Sequence, residues 1–232
     1  MTIDAVVFDL DGTLADTLSD IAAAMNYALA RNGLQERDPD EYRSLVGEGV
    51  IRLVERAVPV DRGDLVEPVL ADLRAHYGRH MLDRTRAYPG VPELLDRLGE
   101  RGLPMAVLSN KPQAATSWMV ERMFGENRFA AVRGGRENMP LKPDPTALLE
   151  IVRDIEVEPR RLAYVGDTRT DMETAVAAGV LPVGAAWGFR DRHELVEHGA
   201  RAVIARPLEL LDLLDGGPSG PATSIGGFAA SE

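Results

Sequence analysis

Two hydrophobic patterns divide the chain. Unbroken apolar runs at Ala5-Val6-Val7-Phe8, Met105-Ala106-Val107-Leu108 and Leu162-Ala163-Tyr164-Val165 each stop at polar residues or glycine. Strands covered on both faces in a parallel sheet read this way, because no position along them faces water. Shorter runs over 130–132, 182–186 and 202–205 predict three more strands. Between the strands, apolar residues return at helical spacing, as in Leu94, Leu95 and Leu98 of a helix predicted from Pro92 to Arg101. Further helices are expected over about 114–123, from Asp171 to a stop at Gly179, and over about 207–214. This alternation predicts an α/β fold with a Rossmann-like parallel sheet.

From Asp16 to about Arg84 only the helical period is present. Asp16 or Thr17 caps a first helix with Ile21, Met25, Ala28 and Leu29 on one face, ending at Gly33. Asp38 caps a second, with Pro39 at its first position and Tyr42, Leu45 and Val46 inward, ending at Gly47. A third runs from Val50 to Ala57, and a fourth from Leu65 to about Met81 with Val69, Leu73 and Tyr77 near one stripe. Residues 1–15 and 86–215 are therefore assigned to the core and 16–85 to an inserted helical cap, hinged near 13–16 and 85–88. A lid attached in this way opens for exchange and closes to exclude water. Residues 216–232, rich in Gly, Pro, Ser and Ala, are expected to form a flexible tail.

Charge enters where strands end. Asp9 and Asp11 follow the first apolar run, and strand alternation turns both to one side. In open α/β sheets, ligands bind in the crevice beyond the carboxyl ends of the strands. Two carboxylates so close are tolerated when a cation binds there or one of them keeps a proton. Ser109 and Asn110 offer donors suited to a phosphate at the end of the second run, although Ser-Asn before Lys-Pro also makes an ordinary turn. Lys142 stands between prolines that stiffen the backbone and fix where its ammonium points. Asp167 ends the third run after Gly166, and Asp171 falls near the start of the next helix, where an acidic cap is an equally simple account.

Composition narrows the classes of function. A net charge of −11 argues against nucleic acid and anionic membranes, both of which select clustered Lys and Arg. The absence of cysteine excludes disulfides, thiolate zinc sites and a cysteine nucleophile. With the first strand beginning at residue 5, a signal peptide has no room, and a cytoplasmic protein is expected. An acidic chain handling an anion needs positive charge concentrated locally, by a metal or a few bases.

Asp9-Leu10-Asp11-Gly12-Thr13-Leu14 resembles the opening motif of the haloacid dehalogenase-like phosphohydrolases. Ser109-Asn110, Lys142 with its flanking prolines, and Gly166-Asp167-Thr168-Arg169-Thr170-Asp171 match that family's later motifs in order, so the resemblance covers about residues 3–214. It implies Asp9 as a nucleophile forming an aspartyl-phosphate, and Asp11 as the acid and base for the leaving oxygen and the attacking water. It implies Mg²⁺ held by Asp9, Asp167 and the Asp11 carbonyl, with Asp171 as ligand or anchor. Lys142, Ser109 and nearby amides would meet the phosphoryl charge, with Asn110 and Thr13 beside the substrate. An acid at position 11 favours phosphate esters over carbon–halogen bonds.

The cap selects the substrate. Leu45 to Val50 fits an anion-binding nest that would bring Gly47 and Gly49 to the site, and it fits a plain helix–helix turn as well. The stretches from Gly47 to Ala57, Lys142 to Pro145 and Trp187 to Phe189 resemble phosphoglycolate phosphatases. That resemblance points to a small carboxylated phosphate ester, with Arg43 or Arg52 as carboxylate partner and a monomer or homodimer as the expected state. A β-phosphoglucomutase-like isomerase or a pyrophosphatase would share the core motifs. A non-catalytic phospho-receiver would need neither Asp11 nor a helical lid.

Overall fold

The computed structural model describes residues 2–216. In chain order these form β1 (Ala5–Phe8), β2 (Ala15–Asp16), α1 (Leu18–Arg31), α2 (Tyr42–Leu45), α3 (Val50–Ala57), α4 (Val66–His80), β3 (Arg86–Ala87), α5 (Val91–Glu100) and β4 (Met105–Pro112). They continue with α6 (Gln113–Phe124), β5 (Ala131–Gly135), α7 (Thr146–Asp154), β6 (Leu162–Gly166), α8 (Arg169–Ala177), β7 (Leu181–Ala185), α9 (Arg192–Glu197), β8 (Ala202–Ile204) and α10 (Glu209–Leu214). All but the first residue of the tail expected over 216–232 lies outside the described residues.

Six parallel strands form one sheet in the order β5-β4-β1-β6-β7-β8, which confirms the α/β Rossmann-like reading. β1 lies between β4 and β6, with Phe8 opposite Val107 on one side and Val165 on the other. The carboxyl ends of the three strands that carry the acids, the hydroxyl and the amide therefore share one edge of the sheet. Alternation along β1 sends Val6 and Phe8 to a core with Leu94, Leu98 and Met119, and Ala5 and Val7 to an opposite core with Leu148 and Ile151. Burial on both faces is why the run shows no polar period.

The helical stretch has its own core, where Ile21, Met25 and Leu29 of α1 meet Tyr42, Leu53, Val54, Val69 and Leu73. Phe189, from the loop after β7, packs into that cluster, so the sheet side plugs the helices directly. The chain enters and leaves this stretch through an antiparallel ribbon, Ala15 opposite Ala87 and Asp16 opposite Arg86. Buried Asp20 clamps the exit by accepting from the Arg84 and Thr85 amides and the Thr85 hydroxyl at 2.8–3.1 Å. The expected hinges are thus paired backbone. The helix expected from Asp38 begins instead as a 3-10 turn over Pro39–Glu41, with the Asp38 carboxylate capping the Asp40 amide. β4 also runs past the expected end at Leu108 to Pro112, with a register shift between those residues.

Candidate active site

The site starts in the turn that closes β1. The Asp9 amide still reaches β6, donating to the Val165 carbonyl at 2.9 Å, and the Leu10 carbonyl then gathers the amides of Thr13, Leu14 and Ala15. This folds the chain back sharply at Gly12, whose φ is +86°. A Cβ there would lie 2.2 Å from Asp167 Oδ2, so glycine answers both the dihedral and the close approach.

Beneath that turn, Lys142 Nζ lies 2.8 Å from Asp9 Oδ1 and donates to Asp171 Oδ1 at 2.7 Å, the Tyr164 hydroxyl at 3.0 Å and the Leu108 carbonyl at 3.3 Å. Two opposite charges and three hydrogen-bond acceptors hold this buried ammonium protonated, raising its pKa against the penalty of burial. Asn110 aims the loop that carries it, accepting from the Lys142 amide at 2.8 Å and donating to the Lys142 carbonyl at 3.0 Å. The same amide group donates to the Gly47 carbonyl at 3.0 Å, which ties the turn after α2 to β4. Asp171 Oδ2 accepts from the Thr168 amide and hydroxyl at 2.9 and 2.7 Å, so one carboxylate both caps α8 and orients Lys142.

Asp167 is fully buried; its oxygens accept from the Thr13 hydroxyl at 3.0 Å and the Phe189 amide at 2.7 Å. Asp9, Asp167 and Asp171 each bring a carboxylate oxygen within 4.8 Å of the others. Burial, then the charge of Asp171, pushes the Asp9 carboxyl up to about 7, and the same two causes raise Asp167 well above the usual carboxylate range. Three buried acids around one ammonium lack positive charge. The donor set, oxygen only, suits a hard divalent cation.

Asp11 meets a second lysine. Its Oδ1 lies 2.9 Å from Lys111 Nζ, which also donates to the Tyr77 hydroxyl of α4 at 3.0 Å and sits 4.7 Å from that ring's centre. Both Asp9 Oδ1 and Asp11 Oδ1 are buried and take their lysine as an ion pair outside hydrogen-bond geometry. A cavity of about 1080 Å³ opens above them, lined by Asp9, Asp11, Ser109, Lys111 and Lys142 below and by Gly47, Gly49 and Arg52 above.

The family profile described as haloacid dehalogenase-like hydrolase matches residues 6–185. The chain belongs to the haloacid dehalogenase-like hydrolases. A phosphoglycolate phosphatase of Chromobacterium violaceum is 34% identical over 220 residues, covering 93% of this chain and 98% of its own. One from Pseudomonas putida is 36% identical over 227 residues, covering 95% and 81%. The crystal structure of a protein from Lactobacillus delbrueckii subsp. bulgaricus superposes with a TM-score of 0.87 at 28% identity, covering 92% of this chain and 99% of that one.

In this hydrolase the structure brings Asp9, Asp11, Lys142, Asp167 and Asp171 together from distant parts of the sequence. Thr13, expected beside the substrate, is fully buried and gives its hydroxyl to Asp167. Asn110 spends its amide on backbone groups. Arg52 lines the cavity but pairs with Glu55 at 2.7 Å, and Arg43 donates to the Gly188 carbonyl at 3.2 Å. Sequence reasoning assigned no part to Lys111, Tyr77 or Tyr164. Lys111 follows Ser109-Asn110 directly at the end of a buried strand, which was the available signal. Among the described residues no helix is long and apolar enough to cross a membrane.

Proposed function

We propose that this hydrolase is a Mg²⁺-dependent, cytoplasmic phosphatase acting on 2-phosphoglycolate. The reading is carried by the convergence of Asp9, Asp11, Lys142 and Asp167 at one sheet edge, in a chain whose curated relatives bear the name phosphoglycolate phosphatase. Asp9 attacks phosphorus, the bond from phosphorus to the ester oxygen breaks, and Asp11 gives that oxygen its proton. Asp11 then takes a proton from water, whose oxygen attacks the aspartyl-phosphate and releases phosphate with Asp9 restored. Mg²⁺, when bound by Asp9 and Asp167, supplies positive charge to the phosphoryl oxygens. Lys142 meets the same charge from the protein side, and Ser109, a buried hydroxyl on the cavity floor, has its own proton to donate. Asp171 serves chiefly to aim Lys142, and Thr13 to orient Asp167.

The helical stretch 16–85 acts as the lid. Its turn from Arg43 to Glu48 is pinned to the sheet side by Arg169 on Glu48 at 2.8 Å and by Arg190 on the carbonyls of Arg43, Ser44 and Val46. The test is Mg²⁺-dependent phosphate release from a panel of 2-phosphoglycolate, pyrophosphate, hexose phosphates and nucleoside monophosphates, with chelator and Asp9→Asn as blanks. Preference for 2-phosphoglycolate, lost on chelation, is expected. Interconversion of a hexose phosphate without phosphate release would overturn the reading in favour of an isomerase.

A further inference from the structure

We propose that Lys111 and Tyr77 form the subsite for the carboxylate on the substrate's leaving group. The inference rests on the phosphoglycolate reading and names the residues that would enforce it. Its first support is position. Asp11 must touch the ester oxygen to protonate it, and Lys111 Nζ lies 2.9 Å from Asp11 Oδ1. In phosphoglycolate a single methylene separates that oxygen from the carboxylate, so the carboxylate arrives beside the ammonium whenever the ester oxygen meets Asp11.

The second support is hydrogen-bonding capacity. An ammonium has three protons, and Lys111 donates one to the Tyr77 hydroxyl while meeting Asp11 as an ion pair. The Tyr77 hydroxyl accepts from Lys111, and its own proton has no acceptor among the described residues. One N–H and one O–H are thus available side by side, enough for both oxygens of a carboxylate. Lys142, by contrast, is already held between two carboxylates.

The third support comes from the other cations on the cavity wall. Arg52 pairs with Glu55, Arg136 with Glu150 and Arg169 with Glu48, while Arg74, on the same wall, is exposed to water. The Arg52 side chain is 65% exposed, whereas that of Lys111 is 6% exposed. A charge shielded from water attracts an anion more strongly than one that water screens. Tyr77 belongs to α4, so the subsite is complete only when the helices sit over the sheet. That location lets the lid read the leaving group while the core performs the same chemistry on any ester. A leaving group longer by one carbon would carry its carboxylate past Lys111.

The experiment compares kcat/KM for 2-phosphoglycolate with that for ethyl phosphate, which keeps the ester oxygen and chain length but ends in a methyl group. Wild type, Lys111→Met and Tyr77→Phe are each assayed on both. Lys111→Met is expected to lower the ratio by about 30-fold or more, largely through KM for phosphoglycolate, as for loss of a charged hydrogen bond. Tyr77→Phe is expected to lower it about 3- to 10-fold. A ratio unchanged in both variants overturns the subsite while leaving the phosphatase reading intact. A wild type that hydrolyses other esters without favouring phosphoglycolate overturns the substrate reading and the subsite with it. If Lys111→Met loses both activities, the Tyr77→Phe ratio decides: a fall supports the subsite and no change overturns it.

Discussion

Two buried lysines flank the Asp9–Asp11 turn, and they are held in different ways. Lys142 takes all its partners, Asp9, Asp171, Tyr164 and the Leu108 carbonyl, from the sheet and the helix that follows β6. Lys111 takes one partner from the β1 turn and the other from α4 in the helical stretch. The first arrangement stands whether or not the helices are seated. The second exists only when they are. On the proposed function, the difference separates a floor assigned to phosphoryl transfer from a roof that completes the pocket, and each half is open to its own perturbation.

The largest effect is expected at the floor. Asp9→Asn should lower kcat by about 10⁴-fold or more, as for loss of a nucleophile. The same variant should stabilise the metal-free protein. The folded-state pKa of Asp9, about 7, lies above its ordinary 3.8, so ionising it costs stability. That cost is absent below about pH 4, grows as pH rises, and is fully present above about pH 7. Thermal unfolding without metal should therefore show Asp9→Asn melting above wild type at about pH 8, with the gap closing near pH 4. Equal melting temperatures at both pH values would contradict the strain assigned to this carboxylate.

Next comes Lys142→Met. It leaves Asp9, Asp167 and Asp171 buried together without their ammonium, and removing one partner from a buried network costs about 3–5 kcal/mol. Urea unfolding at neutral pH should register that loss, and kcat should fall about 10³-fold as phosphoryl charge loses its fixed cation. The loss of stability should shrink at acid pH, where the carboxylates protonate. A stable variant with near-normal kcat would place the floor's positive charge elsewhere.

Much of the floor was legible in the sequence because buried parallel strands are apolar without interruption, so an acid at the end of one stands out. Asp9, Asp11 and Asp167 all announce themselves this way. The helices were legible from stripes such as Ile21, Met25 and Leu29, which do share one core. Two kinds of feature were not. The ribbon of Ala15–Asp16 and Arg86–Ala87 is too short to show an alternation. Pairings that depend on the fold leave no local trace: Tyr164 reads as one more apolar strand residue, yet its hydroxyl lies 2.8 Å from Asp171 and 3.0 Å from Lys142. Tyr77 reads as a helix core position although its hydroxyl meets a lysine 34 residues away. Thr13 looked exposed to substrate because the turn's direction, set by Leu10 and Gly12, decides which side its hydroxyl takes.

The smallest effect tests the roof. Glu48 stands in the turn before α3 and is shared by Arg56 of α3 at 2.6 Å and Arg169 of α8 at 2.8 Å. Only the second pair crosses from roof to floor. Both arginines are partly exposed, and pairs of that kind contribute about 1 kcal/mol or less, so Glu48→Gln should move the melting temperature by only about 2–4 °C. Seating of the roof is a finer balance. The variant should raise KM for the phosphate ester about threefold while kcat stays near wild type, because the floor is untouched. Salt supplies an independent check, since added electrolyte screens the wild-type pair and cannot screen one that is gone. Wild-type KM should climb with salt toward the variant's value more steeply than the variant's own, whereas parallel salt curves would show that the Glu48–Arg169 contact does not hold the roof in place.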